Sequence, residues 1–135
     1  MGVKQTLFFE YSLKTPAEGF IDITQFIREA VAKSKVTDGF TVIYCPHTTA
    51  GITINENVDP DVIPDMLLGL SKAFPDRPEF RHAEGNSAAH LKASMTGSSV
   101  TVIVDKGRLV LGTWQGIYFC EYDGSRTRKI FVKVI

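Results

Sequence analysis

The three histidines of this 135-residue chain fall in two short polar segments. One is Pro46-His47-Thr48-Thr49-Ala50-Gly51. The other runs from Arg81 to His90 as Arg-His-Ala-Glu-Gly-Asn-Ser-Ala-Ala-His. Imidazole is the commonest metal ligand and the side chain best matched to proton transfer near neutral pH. Three of them in polar surroundings suggest one site drawn from distant parts of the chain. Neutral imidazoles from His47, His82 and His90 with an open fourth position are what a catalytic zinc uses. Such a metal acidifies a water or polarises a carbonyl or phosphoryl oxygen. The His82 to His90 spacing is not the i,i+4 pair of a zincin helix, so proton transfer and plain surface imidazoles stay open beside metal binding. Glu84 or Glu56 could act as general base or orient a ligand, or be a solvated acid.

Other polar clusters surround these. Thr48 and Thr49 sit in a turn between two strand-like runs, where they either face a cleft or make local hydrogen bonds. Asn86 or Ser87 can cap a short helix that places His90 one turn in. A helix start also attracts phosphate or carboxylate. Thr113, Trp114 and Gln115 lie between Gly112 and Gly116, and Trp114 either stacks on a ligand ring or covers one end of the core. Arg126 and Arg128 flank a turn with Asp123 and Ser125; arginine pairs well with phosphate, although turn arginines are usually exposed. Asn55, Glu56, Asn57, Asp59 and Asp61 suit either a magnesium–phosphate ligand or the acidic start of the next helix. Cys45 and Cys120 have no zinc-finger or CxxC spacing and read as buried thiols in a reducing cytoplasm, with Cys45 as a fourth metal ligand the alternative.

These segments need a scaffold. Val3 to Leu13, Phe40 to Cys45 and Gly51 to Asn57 carry strand patterns. Thr24 can cap a helix whose Phe26, Ile27, Ala30 and Val31 share a face, with Gly39 after its end. Val62, Met66, Leu67, Leu70 and Phe74 form a second helical stripe that core packing explains. Asn86 or Ser87 opens a third helix that carries Leu91 and Met95 and stops at Gly97. Ser99 to Val104 turns through Asp105-Lys106-Gly107 into Arg108 to Leu111, and Gly116 to Tyr122 turns at Asp123-Gly124 into Thr127 to Ile135. Mixed elements followed by a β meander predict an α+β fold with a mostly antiparallel sheet, in one domain over residues 1–135.

Composition narrows the function classes. Lys+Arg and Asp+Glu are both 15, which argues against a dedicated nucleic-acid binder. No apolar run approaches the roughly 20 residues of a membrane span. The first six residues lack the apolar segment and cleavage site of a signal peptide, so a cytoplasmic protein without membrane or nucleic-acid partners is expected.

Taken together, His-Thr-Thr-Ala-Gly from His47, Asn-Glu-Asn from Asn55 and Gly-Asn-Ser-Ala-Ala-His-Leu-Lys from Gly85 resemble the YjbQ family of small bacterial and archaeal proteins. Leu-Val-Leu-Gly-Thr-Trp-Gln-Gly-Ile-Tyr from Leu109 and Asp-Gly-Ser-Arg-Thr-Arg from Asp123 extend the likeness over nearly the whole chain. Ser125 stands where that family commonly has proline. The resemblance implies a compact α+β domain, a homotrimer, and a site near a subunit boundary able to hold a metal. It points to His47, His82 and His90, with Glu84, Asn86 and the Thr113-Trp114-Gln115 turn nearby. The family is often labelled a secondary thiamine-phosphate synthase, joining a pyrimidine diphosphate to a thiazole phosphate with release of pyrophosphate. The main enzymes of that step are TIM barrels of about 250 residues, so any shared activity rests on a different site.

The expected function is therefore a small transferase-like enzyme acting on a phosphorylated small molecule. His47, His82 and His90 would hold a divalent metal, zinc or magnesium, or donate to pyrophosphate. Glu84 would handle a proton. Thr48, Thr49, Asn86, Ser87, Thr113, Trp114, Gln115 and Arg126 would bind substrate or phosphate. The alternatives are a metal-dependent hydrolase using the same histidines and a non-catalytic metabolite- or metal-binding trimer.

Overall fold

The computed structural model describes residues 7–135. The part of the first predicted strand before residue 7, and the reading of the first six residues, lie outside them. Strand β1 (Phe8–Lys14) alternates exposed and half-buried positions, as a strand with one covered face must. β2 (Gly19–Asp22), a strand that the residue pattern does not predict, leads into helix α1 (Thr24–Ser34). Ile27, Ala30 and Val31 bury one face of α1, as their spacing predicts. Thr24 is not its cap. Ile23 holds the cap position, and the Thr24 hydroxyl donates to Asp22 Oδ1 at 2.6 Å while accepting from the Ile117 amide at 3.0 Å. The helix ends at Lys35, in the left-handed region with φ 61°. Gly39 instead lies within β3 (Asp38–Tyr44), where a side chain would run into the Ile135 carbonyl.

β4 (Ala50–Glu56) is followed by α2 (Val62–Ala73) and α3 (Ser87–Thr96). The strands β5 (Ser99–Asp105) and β6 (Arg108–Leu109) form the expected hairpin, with Lys106 and Gly107 at φ 52° and 76° as its turn chemistry demands. β7 (Gln115–Glu121) and β8 (Thr127–Val134) complete the chain. The strands make two antiparallel sheets, β1-β8-β3-β5-β6 and β2-β7-β4. The fold is α+β, as predicted, but the terminal strands are no meander. β7 and β8 belong to different sheets, so the segment at Asp123-Gly124 is a crossing between sheets and not a hairpin turn.

β7 explains why the run Ile117 to Cys120 is apolar without alternation. Ile117 and Phe119 enter the main core with α1 and the five-stranded sheet, while Tyr118 and Cys120 enter a second cluster with Ala89 and Ala93 of α3. A strand buried on both faces has no polar side to show. α2 corrects the other expectation. Its apolar stripe exists, yet no residue of α2 is buried. Ile63 and Leu70 pack half-buried against the second cluster, and Met66, Leu70 and Phe74 also line an open apolar cleft with Phe20 and Tyr122. Among the described residues no helix is long and apolar enough to cross a membrane.

Candidate functional site

The crossing between sheets puts the chemistry in one place. β3 ends just before Pro46 and His47, β4 begins just after Thr49, β7 ends at Glu121, and β8 begins at Thr127. Their ends, with the loop into α3, enclose a cleft of about 350 Å³. His47, His82 and His90 all line it, with Thr48, Thr49, Glu84, Asn86 and Arg126. The cleft also contains Asp123 and Arg128, to which the residue pattern assigns no definite site role.

Arg128 is the chief finding. In β8 its side chain shares the inward face of Ile130, Val132 and Val134, so it is buried and not an exposed turn arginine. Glu121 shares the inward face of Ile117 and Phe119 in β7 and is fully buried. The two meet where the sheets part. Arg128 Nε donates to Glu121 Oε1 at 2.8 Å and Nη2 donates to Oε2 at 2.5 Å. Thr15 Oγ1 donates to Oε1 at 2.5 Å and the Asp123 amide donates to Oε2 at 3.1 Å. Burial alone would raise the Glu121 pKa, but these donors, led by Arg128, hold it below the ordinary carboxylate value. Period-two alternation was the signal available for both residues: each charge falls in register with core aliphatics.

The pairing leaves particular donors open. Arg128 Nη2 also donates to Thr49 Oγ1 at 2.9 Å. A guanidinium has five N–H groups. The two on Nη1 have no hydrogen-bond partner among the described residues. The Thr49 hydroxyl accepts from Arg128, so its own O–H is available. His47 Nε2 accepts the Lys129 amide N–H at 2.9 Å. A neutral ring that accepts at Nε2 carries its proton on Nδ1. Burial, and then the Arg128 charge, lower the His47 pKa and favour this neutral form. Nη1–H, Oγ–H and Nδ1–H thus form a set of donors without acceptors among the described residues.

The opposite side of the cleft is more open. Ring centres of His82 and His90 are 5.4 Å apart, nearly perpendicular. His82 Nε2 lies 4.0 Å from Glu84 Oε1, with the two side chains 41% and 70% exposed. Asn86 is the N-cap of α3, but its side chain does not cap. Its Nδ2 donates to Asp123 Oδ2 at 2.8 Å, because a carboxylate is a stronger acceptor and lies within reach. Arg126 folds over the same Asp123, with Nε to its carbonyl at 2.8 Å and Nη2 to Oδ2 at 3.0 Å.

The expected three-histidine metal set is not assembled in this arrangement. Two imidazoles on one tetrahedral ion have ring centres about 5 Å apart, given zinc–nitrogen bonds of about 2.0–2.1 Å. His82 and His90 fit that spacing. His47 does not join them: binding through Nδ1 would need its proton removed, and Nε2 is occupied by Lys129. Among the described residues no group of three or more His, Cys, Asp or Glu side chains stands close enough to hold a metal ion. Cys45 does not serve either. It is buried, its Sγ faces the His47 carbonyl at 4.0 Å, and burial pushes its pKa up to about 11. Burial pushes Cys120 up to about 12.

The remaining predicted residues lie elsewhere. Ser87 borders a neighbouring hollow with His82 and Arg77. Gln115 pairs with Glu56 at the start of β7, while Ala50 pairs with Glu121 at its end. The Thr113-Trp114-Gln115 turn and Glu56 are therefore about 20 Å from the cleft at some 3.3 Å per strand residue. Trp114 is 58% exposed, so it does not cover the core as one reading of the sequence had it.

The model of the UPF0047 protein YjbQ-like family matches residues 9–135. The UPF0047 protein MJ1081 of Methanocaldococcus jannaschii is 52% identical over 130 residues, covering 96% of this chain and 94% of that protein. YugU of Bacillus subtilis, another UPF0047 protein, is 54% identical over 122 residues, covering 90% and 92%. A solved YjbQ/UPF0047 structure from Clostridium acetobutylicum superposes with TM-score 0.92 at 59% identity, covering 94% of this chain and 99% of that one. A conserved hypothetical protein of Thermus thermophilus gives TM-score 0.88 at 40% identity, covering 94% and 99%. The ends of four strands and the loop into α3 thus meet in a cleft carried by a chain that belongs to the YjbQ-like UPF0047 family.

Proposed function

We propose that the cleft binds the phosphoryl group of a small phosphorylated molecule and promotes a transfer in which phosphate or pyrophosphate departs. One observation carries this reading: Arg128 Nη1, Thr49 Oγ and His47 Nδ1 offer hydrogens and find no acceptor among the described residues. Phosphate oxygens accept only, so such a ligand satisfies all three. Donors fixed in advance favour an oxygen that gains charge as its bond breaks. Arg126 and Asn86 flank the entrance. His82 and His90 stand opposite as proton carriers, with Glu84 beside them to take or return the proton. The thiamine-phosphate synthase reaction fits this scheme, since pyrophosphate is its leaving group.

A divalent ion would be held by His82 and His90 if it is zinc, whereas magnesium, which takes oxygen ligands, would need the phosphate itself; either would supply positive charge to a phosphoryl oxygen. None of the steps above depends on it. Metal-assisted hydrolysis is the second reading, favoured by the 5.4 Å separation of those two rings. A homotrimer belongs to the proposal as well. α2 buries none of its residues, and Leu68, Met95 and Ile103 are exposed, which supports cover by further copies. The Thr113-Trp114-Gln115 turn would reach a cleft only from another copy. Two free buried thiols suit a reducing cytoplasm.

The test pairs binding with turnover. Calorimetric titration with inorganic phosphate and pyrophosphate should show saturable binding, weakened at least tenfold in Arg128→Lys. Incubation with a pyrimidine diphosphate and a thiazole phosphate should release pyrophosphate only when both are present. Release without the thiazole would favour the hydrolase. Absence of phosphate and pyrophosphate binding in the folded wild type would overturn the proposal.

A further inference from the structure

Glu121 does not line the cleft, yet it decides how Arg128 faces it. A guanidinium can pair side-on through Nε and Nη2 or end-on through Nη1 and Nη2. Glu121 takes the whole side-on edge. Thr49 takes the remaining hydrogen of Nη2. Only Nη1 is left, and Arg128 borders the cleft. The carboxylate is itself fixed from two other directions, by the Thr15 hydroxyl from the end of β1 and by the Asp123 amide. Thr15 is buried and its hydroxyl also meets the backbone at Arg126, 3.0 Å from the carbonyl oxygen. A chain of contacts therefore runs from Thr15 through Glu121 to Arg128 and ends at the open Nη1 hydrogens.

We propose that Glu121, braced by Thr15, is the positioning residue that turns Arg128 into a receptor for one phosphoryl oxygen. This rests on the phosphate reading above. The pair has a second effect. Glu121 cancels the Arg128 charge locally, and His47 is held neutral, so the ligand meets directed hydrogens more than net positive charge. Selection then depends on acceptor geometry. An ionised phosphate carries enough acceptors for the three donors that border the cleft, and a neutral amide or alcohol of the same size does not satisfy them.

The experiment uses inorganic phosphate as probe, with Glu121→Gln and Thr15→Val compared against wild type. Glutamine keeps the shape but can accept at one oxygen only, and it turns an N–H toward Arg128. Valine removes one of the donors to Glu121 and also the acceptor of the Arg126 amide at 3.1 Å, while Arg128, Thr49 and His47 keep their own donors. Phosphate affinity should fall at least tenfold in Glu121→Gln and about threefold to fivefold in Thr15→Val. Nitrogen NMR of the arginine side chains supplies a readout that general loosening does not move. Arg128 should give separate, slowly exchanging Nη signals in wild type that merge in both variants. If Glu121→Gln fails to fold, Thr15→Val alone decides. Wild-type phosphate affinity and unchanged Arg128 signals in a folded variant would overturn the positioning role while leaving the phosphate reading intact. No phosphate binding by wild type, with merged Arg128 signals in the variants, would overturn the phosphate reading and leave the positioning of Arg128 standing.

Discussion

The two sides of the cleft are built differently. The Arg128 side is buried, with Glu121 fully inside and its carboxylate accepting from two side chains and one backbone amide. The His82 side is exposed, and its nearest charged contact, Glu84, is 4.0 Å away in solvent. Buried charges are costly to leave unpaired, so the first side is tied to the fold itself. Exposed charges near 4 Å contribute little to stability, so the second side is free to serve chemistry. On the proposed function, recognition and reaction would be separated by burial within one small site. Changes to the first should cost stability along with binding, whereas the second can be altered at little cost to the fold.

The sharpest way to break this contrast is Glu121→Ala. It leaves Arg128 buried without its partner and should cost about 3–5 kcal/mol of stability in urea unfolding. A loss below about 1 kcal/mol would mean that the buried side is no more committed than the exposed one. Next come His82→Ala and His90→Ala. Each should lower turnover roughly 100-fold or more, as for loss of a proton-transfer group. His82→Ala should meanwhile hold its stability within about 0.5 kcal/mol. Wild-type turnover in both would remove the histidine pair from the mechanism.

Acid titration sharpens the comparison further. His47 has a folded pKa below its ordinary 6.5 and Glu121 one below 4.5. The unfolded chain therefore binds more protons than the folded one as the pH falls. The His47 contribution to stability is complete above about pH 6.5 and is lost below it; the Glu121 contribution is complete above about 4.5 and is lost below that. Urea midpoints measured from about pH 7.5 to 3.5 should decline through both windows, and His47→Gln should flatten the upper one. An unchanged upper slope in that variant would show that His47 is not held neutral. The smallest effect belongs to Glu84→Gln. Its stability should stay within about 0.5 kcal/mol of wild type, and turnover alone should respond. A larger stability loss would place Glu84 on the committed side.

Histidine position made the cleft legible in the sequence, because His47, His82 and His90 all fall in two short polar segments and nowhere else. The helices were legible from apolar spacing, and the hairpin at Lys106-Gly107 from its turn residues. Arg128 and Glu121 were legible in principle through alternation with Ile130 and Phe119, but a charge beside a turn invites the exposed reading. The sheet change between β7 and β8 was hidden because Asp123-Gly124 carries the same residue types in a hairpin and in a crossing. The stripe on α2 misled for another reason. Spacing reveals which face is apolar and does not reveal whether this chain covers it. Trp114 illustrates the same limit, since a glycine-flanked tryptophan reads alike in a core and on a surface.

The two thiols carry a practical consequence. Thiolate is the form that alkylates and oxidises, and with Cys45 pushed up to about 11 and Cys120 up to about 12 almost none exists at neutral pH. The two thiols of the folded chain are in effect blank to maleimide and to mild thiol oxidants. A cysteine placed at the exposed Glu84 position would be the one reactive thiol among the described residues. A fluorophore or spin label attached there would report on the outer lip of the cleft without first stripping the protein of its own cysteines.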